Sequence, residues 1–209
     1  MNTLNYMPRQ KKDKKIILGV TGGFGSGKST VSGILKTYGA ELIDADKLAH
    51  GCIASQGKCY KRLIRAFGSK ILKNDESIDR AKLGKVVFGN KKLLRRINNI
   101  IHPEVIKEIK KRIERSKSGV IVLDVPLLIE SGLKGLVDKL IVVKLKRDEQ
   151  IKRALRKCAL KKSDILKRIN SQIPLRVKSR LADFVIDNSG SITKTRKQVG
   201  EIRRILWKN

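Results

Sequence analysis

The stretch Gly22-Gly23-Phe24-Gly25-Ser26-Gly27-Lys28-Ser29-Thr30 narrows the folds open to this chain more than any other feature. Gly22, Gly27, Lys28 and Ser29 satisfy the pattern G-x-x-x-x-G-K-S/T. The apolar run Ile16-Ile17-Leu18-Gly19-Val20 before it reads as a buried strand, and Val31 to Lys36 after it reads as the start of a helix. Glycines let successive backbone N–H groups turn inward around a phosphate without Cβ clashes, and a helix starting near Lys28 adds its positive dipole end. Lys28 suits the β- and γ-phosphates, and the Ser29 hydroxyl suits Mg²⁺. The expected nucleotide-holding set is Gly23, Gly25, Ser26, Gly27, Lys28, Ser29 and Thr30. The bland alternative is a glycine-rich turn with no ligand. The strand-before, helix-after context argues against it.

Acidic residues end two further apolar segments. In Ala40-Glu41-Leu42-Ile43-Asp44-Ala45-Asp46 a short strand runs into two aspartates. Ligands of open α/β sheets bind at the carboxyl ends of strands, so both should face the phosphate loop. Residues two apart in an extended segment point the same way, so either could take a proton from an attacking hydroxyl or orient Mg²⁺. The bland reading of Asp46 is a helix cap on Lys47–His50. Val120 to Asp124 forms another buried strand whose terminal carboxylate fits a Mg²⁺ site with Ser29. Lys139–Val143 and Phe184–Asp187 supply the fourth and fifth strands, and Ser191–Trp207 a closing helix.

Residues 58–116 read as helical. Tyr60, Leu63, Ile64 and Phe67 form one stripe, and Leu93, Leu94, Ile97, Ile100 and Ile101 another. Val105, Ile106, Ile109 and Ile113 mark a helix expected to open at Pro103. Asp79-Arg80 is expected to begin a short helix holding Leu83 and Phe88. Between the fourth and fifth strands, Arg153, Arg156 and Lys157 share a helix face, as phosphate-closing lid cations would. A solvated basic face is the bland reading.

The 209 residues, 40% of them hydrophobic, suffice for one α/β core with a small appendage. No run approaches a membrane span, and Met1 to Lys15 lacks a secretory apolar stretch, so a cytoplasmic location is expected. Cys52, Cys59 and Cys158 form no C-x-x-C pair and read as free thiols. His50, Cys52 and Cys59 lack the paired spacing and fourth ligand of a zinc site. The net charge of +30 comes from 49 basic and 19 acidic residues spread along the chain. With aromatics at 4% and no stacking motif, it reads as solvated lysine-rich faces, not a specific nucleic-acid site.

The chain resembles the dephospho-coenzyme A kinase family from about Ile16 to Asn209. The resemblance rests on Leu18 to Thr30, Ile43-Asp-Ala-Asp46, Asp79-Arg80, His102-Pro103, Asp124-Val-Pro-Leu-Leu128 with Glu130, Arg168 with Gln172, Pro174-Leu175, and Ala182-Asp183 leading to Val185–Gly190. It implies an α/β P-loop fold with a five-stranded parallel sheet flanked by helices. It also implies a helical substrate-binding insertion at 50–116 and a helical lid at 147–180, within one kinase domain at 16–209 behind a disordered basic extension at 1–15. The implied reaction is ATP-dependent phosphorylation of the ribose 3′-hydroxyl of 3′-dephospho-coenzyme A, with Mg²⁺. The resemblance assigns the base to Asp46 and a lid cation to Arg153. It puts Asp44, Asp79, Arg80, His102 and Pro103 on the substrate side. Ser29 and Asp124 remain the expected metal residues, and a monomer is expected. Two departures stand out: Lys157-Cys158 where the family has Arg-Asp, and Gly57-Lys58-Cys59 where it has Gly-x-Pro. The rival readings are another small-molecule kinase of the nucleoside monophosphate type and a nucleic-acid-associated P-loop protein.

Overall fold

Five parallel strands carry the molecule: β1 (Ile16–Gly22), β2 (Glu41–Asp44), β3 (Val120–Asp124), β4 (Lys139–Lys144) and β5 (Phe184–Asp187), in the order β2-β3-β1-β4-β5. The computed structural model describes residues 15–87, 90–157 and 161–207. The expected extension up to residue 14, Phe88, Cys158 and Asn209 lie outside them.

The central strands β1, β3 and β4 are largely buried on both faces, as parallel sheets require, and their side chains sort by the period of two. Val120 and Val122 join Leu18, Val20, Ile141, Val143 and Ile186 on one face, under α1 (Lys28–Thr37) and α9 (Ile192–Leu206). Ile121 and Leu123 join Leu140 and Val142 on the other, where Val105 and Ile109 of α5 (Lys91–Arg115) cover them. A third cluster lies among α2 (Ala45–Ile53), α3 (Tyr60–Phe67), α4 (Arg80–Val87) and the first half of α5, with Leu63, Phe67, Ile71 and Leu83 at its centre. Residues between β4 and β5 form α6 (Arg147–Lys157), α7 (Lys162–Asn170) and α8 (Leu175–Arg180).

Two expectations need correction. Pro103 does not open a helix; it lies inside the 25-residue α5, which starts at Asn90, whose side-chain oxygen accepts from Lys92 N–H and Leu93 N–H at 3.0 and 3.1 Å. Proline removes one backbone donor from the helix interior. Apolar packing on both sides of the break offsets that loss: Leu93 and Ile97 lie in the helical cluster, and Val105 and Ile109 lie under the sheet. Cys52 and Cys59 are not separate thiols but a disulfide, with Cα atoms 5.3 Å apart. The chain between them doubles back, Cys59 N–H donating to the Cys52 carbonyl at 2.9 Å. Gly57 permits this, because a Cβ there would run into the carbonyls of Gly51 and Cys52.

Among the described residues no helix is long and apolar enough to cross a membrane.

Ile109 is fully buried where α5 meets the sheet. Ile109→Ala should lower unfolding free energy by about 2–5 kcal/mol in urea titration, the usual range for such a cavity. A loss below about 1 kcal/mol would show that α5 does not pack there in solution.

Candidate active site

The turn from β1 into α1 is built from backbone conformations that favour glycine. Gly25 and Gly27 have φ of 73° and 87°. A side chain at Gly27 would also strike the Asn188 amide. That amide donates to the Ser26 carbonyl at 2.9 Å and accepts from the Thr195 hydroxyl at 2.8 Å. The loop is therefore braced by β5 and α9, an arrangement sequence reading did not foresee. Ser26 is buried, and its hydroxyl has no partner among the described residues. Thr30 N–H and Val31 N–H bond back to the Gly27 carbonyl. Lys28 and Ser29 open α1, so their own N–H groups have no acceptor within it. The Ser29 side chain is exposed.

Strand register brings the carboxylates to the same end of the sheet. Asp124 lies opposite Val20 of β1 and opposite Asp44 of β2. Asp44 ends its strand, but Asp46 is not extended beside it, as the alternation argument expected. Asp46 sits in the first turn of α2. The helix cap is Asp44, not Asp46: its carboxylate accepts from Lys47 N–H at 3.0 Å. A helix starting one residue past the strand turns Asp46 out of the period of two.

The charges of this cluster are felt mutually. Burial lowers the Lys28 pKa; Asp124 raises it, and Lys178 lowers it further. Loss of water contact raises the Asp124 pKa, against the Ser32 hydroxyl and Lys28. Asp46 stands at the exposed rim, where crowding by its surroundings raises its pKa first and the Asp44 charge second, while His50 and Lys28 pull it down.

Of the other expected residues, Arg80 reaches the cluster through His50. Its guanidinium lies 2.8 Å from His50 Nε2, one helical turn along α2 from Asp46. His50 was missed as a site residue, although its i, i+4 spacing from Asp46 was readable. Asp79 caps α4 by accepting from Ala81 and Lys82 N–H groups at 2.8 and 3.0 Å, which lowers its pKa. His102 and exposed Pro103 lie in mid-α5. The lowered His102 pKa comes from burial, not from the aspartates. Arg153 is half-buried on α6, and the next residue, Ala154, would contact a Cβ placed on Gly25 at 3.5 Å. Fully buried Lys178 pairs with Glu130 at 2.6 Å.

A model of the family "Dephospho-CoA kinase" matches residues 16–194, most of the chain. The chain belongs to the dephospho-CoA kinase family. The dephospho-CoA kinase of Carboxydothermus hydrogenoformans is 48% identical over 197 residues, covering 92% of this chain and 96% of that protein. A crystal structure from Thermus thermophilus superposes with a TM-score of 0.84 at 28% identity, over 93% of this chain and 100% of that one. The dephospho-CoA kinase from Campylobacter jejuni superposes at 0.61 with 26% identity, over 93% and 99%. The P-loop kinase fold and membership of a kinase family follow.

The raised proton affinity of Asp46 has a thermodynamic signature. A carboxylate whose folded pKa exceeds its unfolded value binds its proton more tightly when folded. Ionised Asp46 therefore costs stability at neutral pH, and the cost fades as pH falls towards an ordinary aspartate's 3.8. Asp46→Asn should melt at or above the wild-type temperature at neutral pH, with the gap closing in acid. Thermal unfolding across pH tests this; a variant less stable than wild type at neutral pH overturns it.

Proposed function

We propose that this chain transfers the γ-phosphoryl group of ATP to the ribose 3′-hydroxyl of 3′-dephospho-coenzyme A, giving coenzyme A and ADP. The observation that carries this reading is one juxtaposition in a member of this family. A braced anion-binding loop and a carboxylate of raised proton affinity meet at the same end of the sheet.

Asp46 is the base: it accepts the hydroxyl proton as the acceptor oxygen attacks. A raised pKa suits that task better than an ordinary aspartate's. Lys28 and the N–H groups of the loop hold the phosphoryl oxygens, and Arg153, on the α6 face that packs on Gly25, adds charge there. Gly23, Gly25, Ser26, Gly27, Ser29 and Thr30 complete the triphosphate cradle. A cavity of about 520 Å³ opens beside it, lined by Gly23, Ser26, Arg147, Gln150, Asn170 and Gln172 among others.

For the metal, the exposed Ser29 hydroxyl and the under-solvated Asp124 carboxylate fit a hard, oxygen-seeking dication. Among the described residues no group of three or more His, Cys, Asp or Glu forms a cage. This suits Mg²⁺ held partly by phosphate and water. Mg²⁺ bound there would neutralise charge on the phosphate oxygens.

Asp44, Asp79, Arg80, His102 and Pro103 belong to the substrate side. Asp79 acts by fixing the start of α4, and Arg80 through His50. The same reading makes 50–116 the coenzyme-binding insertion and 147–180 the lid. It includes a monomeric, cytoplasmic enzyme, with the +30 charge giving only salt-sensitive attraction to polyanions.

An ADP-release assay with dephospho-coenzyme A, adenosine and AMP as acceptors tests the proposal. Turnover should be selective for dephospho-coenzyme A, and preference for AMP would favour the nucleoside monophosphate kinase reading. Within that assay, Asp46→Asn should lower kcat by about 10²–10⁴. Asp44→Asn keeps a capping side chain and should retain more activity, improving with added Mg²⁺. A dead Asp44→Asn beside an active Asp46→Asn would reverse the two roles.

A further inference from the structure

The G-x-x-x-x-G-K-S/T pattern demands glycine at positions 22 and 27 only, yet this chain also has Gly23 and Gly25. Gly25 has φ of 73°, and both glycines lie against Gln150. A Cβ on Gly23 would come within 2.7 Å of Gln150 Nε2. A Cβ on Gly25 would lie 3.4 Å from the Gln150 carbonyl oxygen. The α6 helix lies directly on the loop, with Gln150, buried at 7% exposure, and Ala154 against it.

Between these glycines, both polar groups of Phe24 are engaged by side chains. Phe24 N–H donates to Gln172 Oε1 at 2.9 Å, and the Phe24 carbonyl accepts from Gln150 Nε2 at 2.5 Å. The Arg168 guanidinium lies 5.5 Å from the centre of the Phe24 ring. Gln150 comes from α6, Arg168 from α7, and Gln172 from the turn that follows α7. Both glutamines also line the cavity beside the loop.

The two peptide groups on either side of Phe24 could otherwise rotate, since each is shared with a glycine. A rotated peptide would disturb the inward-facing amides that follow. A preorganised donor set is what makes such a loop an effective electrostatic cradle, because none of its dipoles must reorient when the phosphates arrive. We propose that Gln150 and Gln172 are positioning residues: Gln172 holds the peptide group before Phe24 and Gln150 the one after it, and together they preset the phosphate loop for the triphosphate and tie its shape to the helices between β4 and β5. This rests on reading the loop as the ATP site.

The test is ATP binding by calorimetry together with steady-state kinetics. Gln172→Met and Gln150→Met keep the side-chain length but remove the acceptor or donor. Each should weaken ATP binding and raise KM for ATP about tenfold, the scale of one lost hydrogen bond, with KM for dephospho-coenzyme A unchanged. Gln150→Glu keeps the native shape and donates only while protonated. Its ATP affinity should fall more steeply as pH rises than that of wild type or Gln150→Met. This variant also carries the test if Gln150→Met does not fold. ATP affinity unchanged in all three variants, or equal rises in both KM values, would overturn the proposal. Calorimetry with ATP needs no acceptor. A wild type that binds ATP without phosphorylating dephospho-coenzyme A would therefore refute the acceptor assignment, and the variants' affinities would still decide the positioning role.

Discussion

The active end of this molecule depends on a strand that becomes a helix through backbone angles a side chain would resist. Gly27, at φ of 87°, is the cap of α1, and the Asn188 amide occupies the space a Cβ would need. Asn188 is itself fixed by Thr195 of α9. The final helix thus sets the shape of a loop lying more than 150 residues earlier in the chain. Because β1 is central, the same loop lies beside the ends of its neighbours, and register brings Asp124 and Asp44 next to it. An edge strand could not have gathered that set.

The site is held in a state that costs the fold something. A chain of net charge +30 gathers Asp46 and Asp124 near Lys28, with Asp44 beside them, and burial leaves Asp124 short of water. Both signs of charge pay the same way: the lysine is pushed towards its neutral form by burial, and two aspartates towards theirs. Such shifts mean that each ionised group is less stable here than in solution. In the function proposed here, a triphosphate and its dication would supply the missing partners. Stability is thereby exchanged for affinity, as is common at catalytic sites.

Much of this was legible in the sequence, where local chemistry dictates local geometry. The loop motif, five apolar strands and acidic strand ends need only periodicity and residue type, and they emerged as expected. What failed was whatever depends on how elements meet. Asp46 was read as extended because the residue at which β2 gives way to α2 is not marked by glycine or proline; Asp44 caps the helix instead. Pro103 suggested a helix start, but contacts on both sides of it carry α5 through. The Cys52–Cys59 pairing depends on a loop doubling back over Gly57. Gln150 carries no motif of its own, and its role emerges only when α6 lies against the loop.

The helices between β4 and β5 are pinned at one end. Glu130 accepts from Ile173 N–H at 3.2 Å and lies 2.6 Å from Lys178 Nζ, joining α8 to the loop after β3. A buried pair of this kind adds little net stability, but breaking it strands a charge, so its geometry is firmly held. The start of α6 is fastened to the end of α7 by Arg147 donating to Asn170 at 3.2 Å, and both meet the loop through the glutamines on Phe24. Any motion about this fixed end would displace the far ends of α6 and α7 most. Arg153 lies one turn beyond Gln150 and would move little, whereas exposed Arg156 lies further out and would move more. In the lid proposed for this segment, Arg153 would therefore be a standing part of the phosphate site, and any charge contributed by Arg156 would arrive with closure.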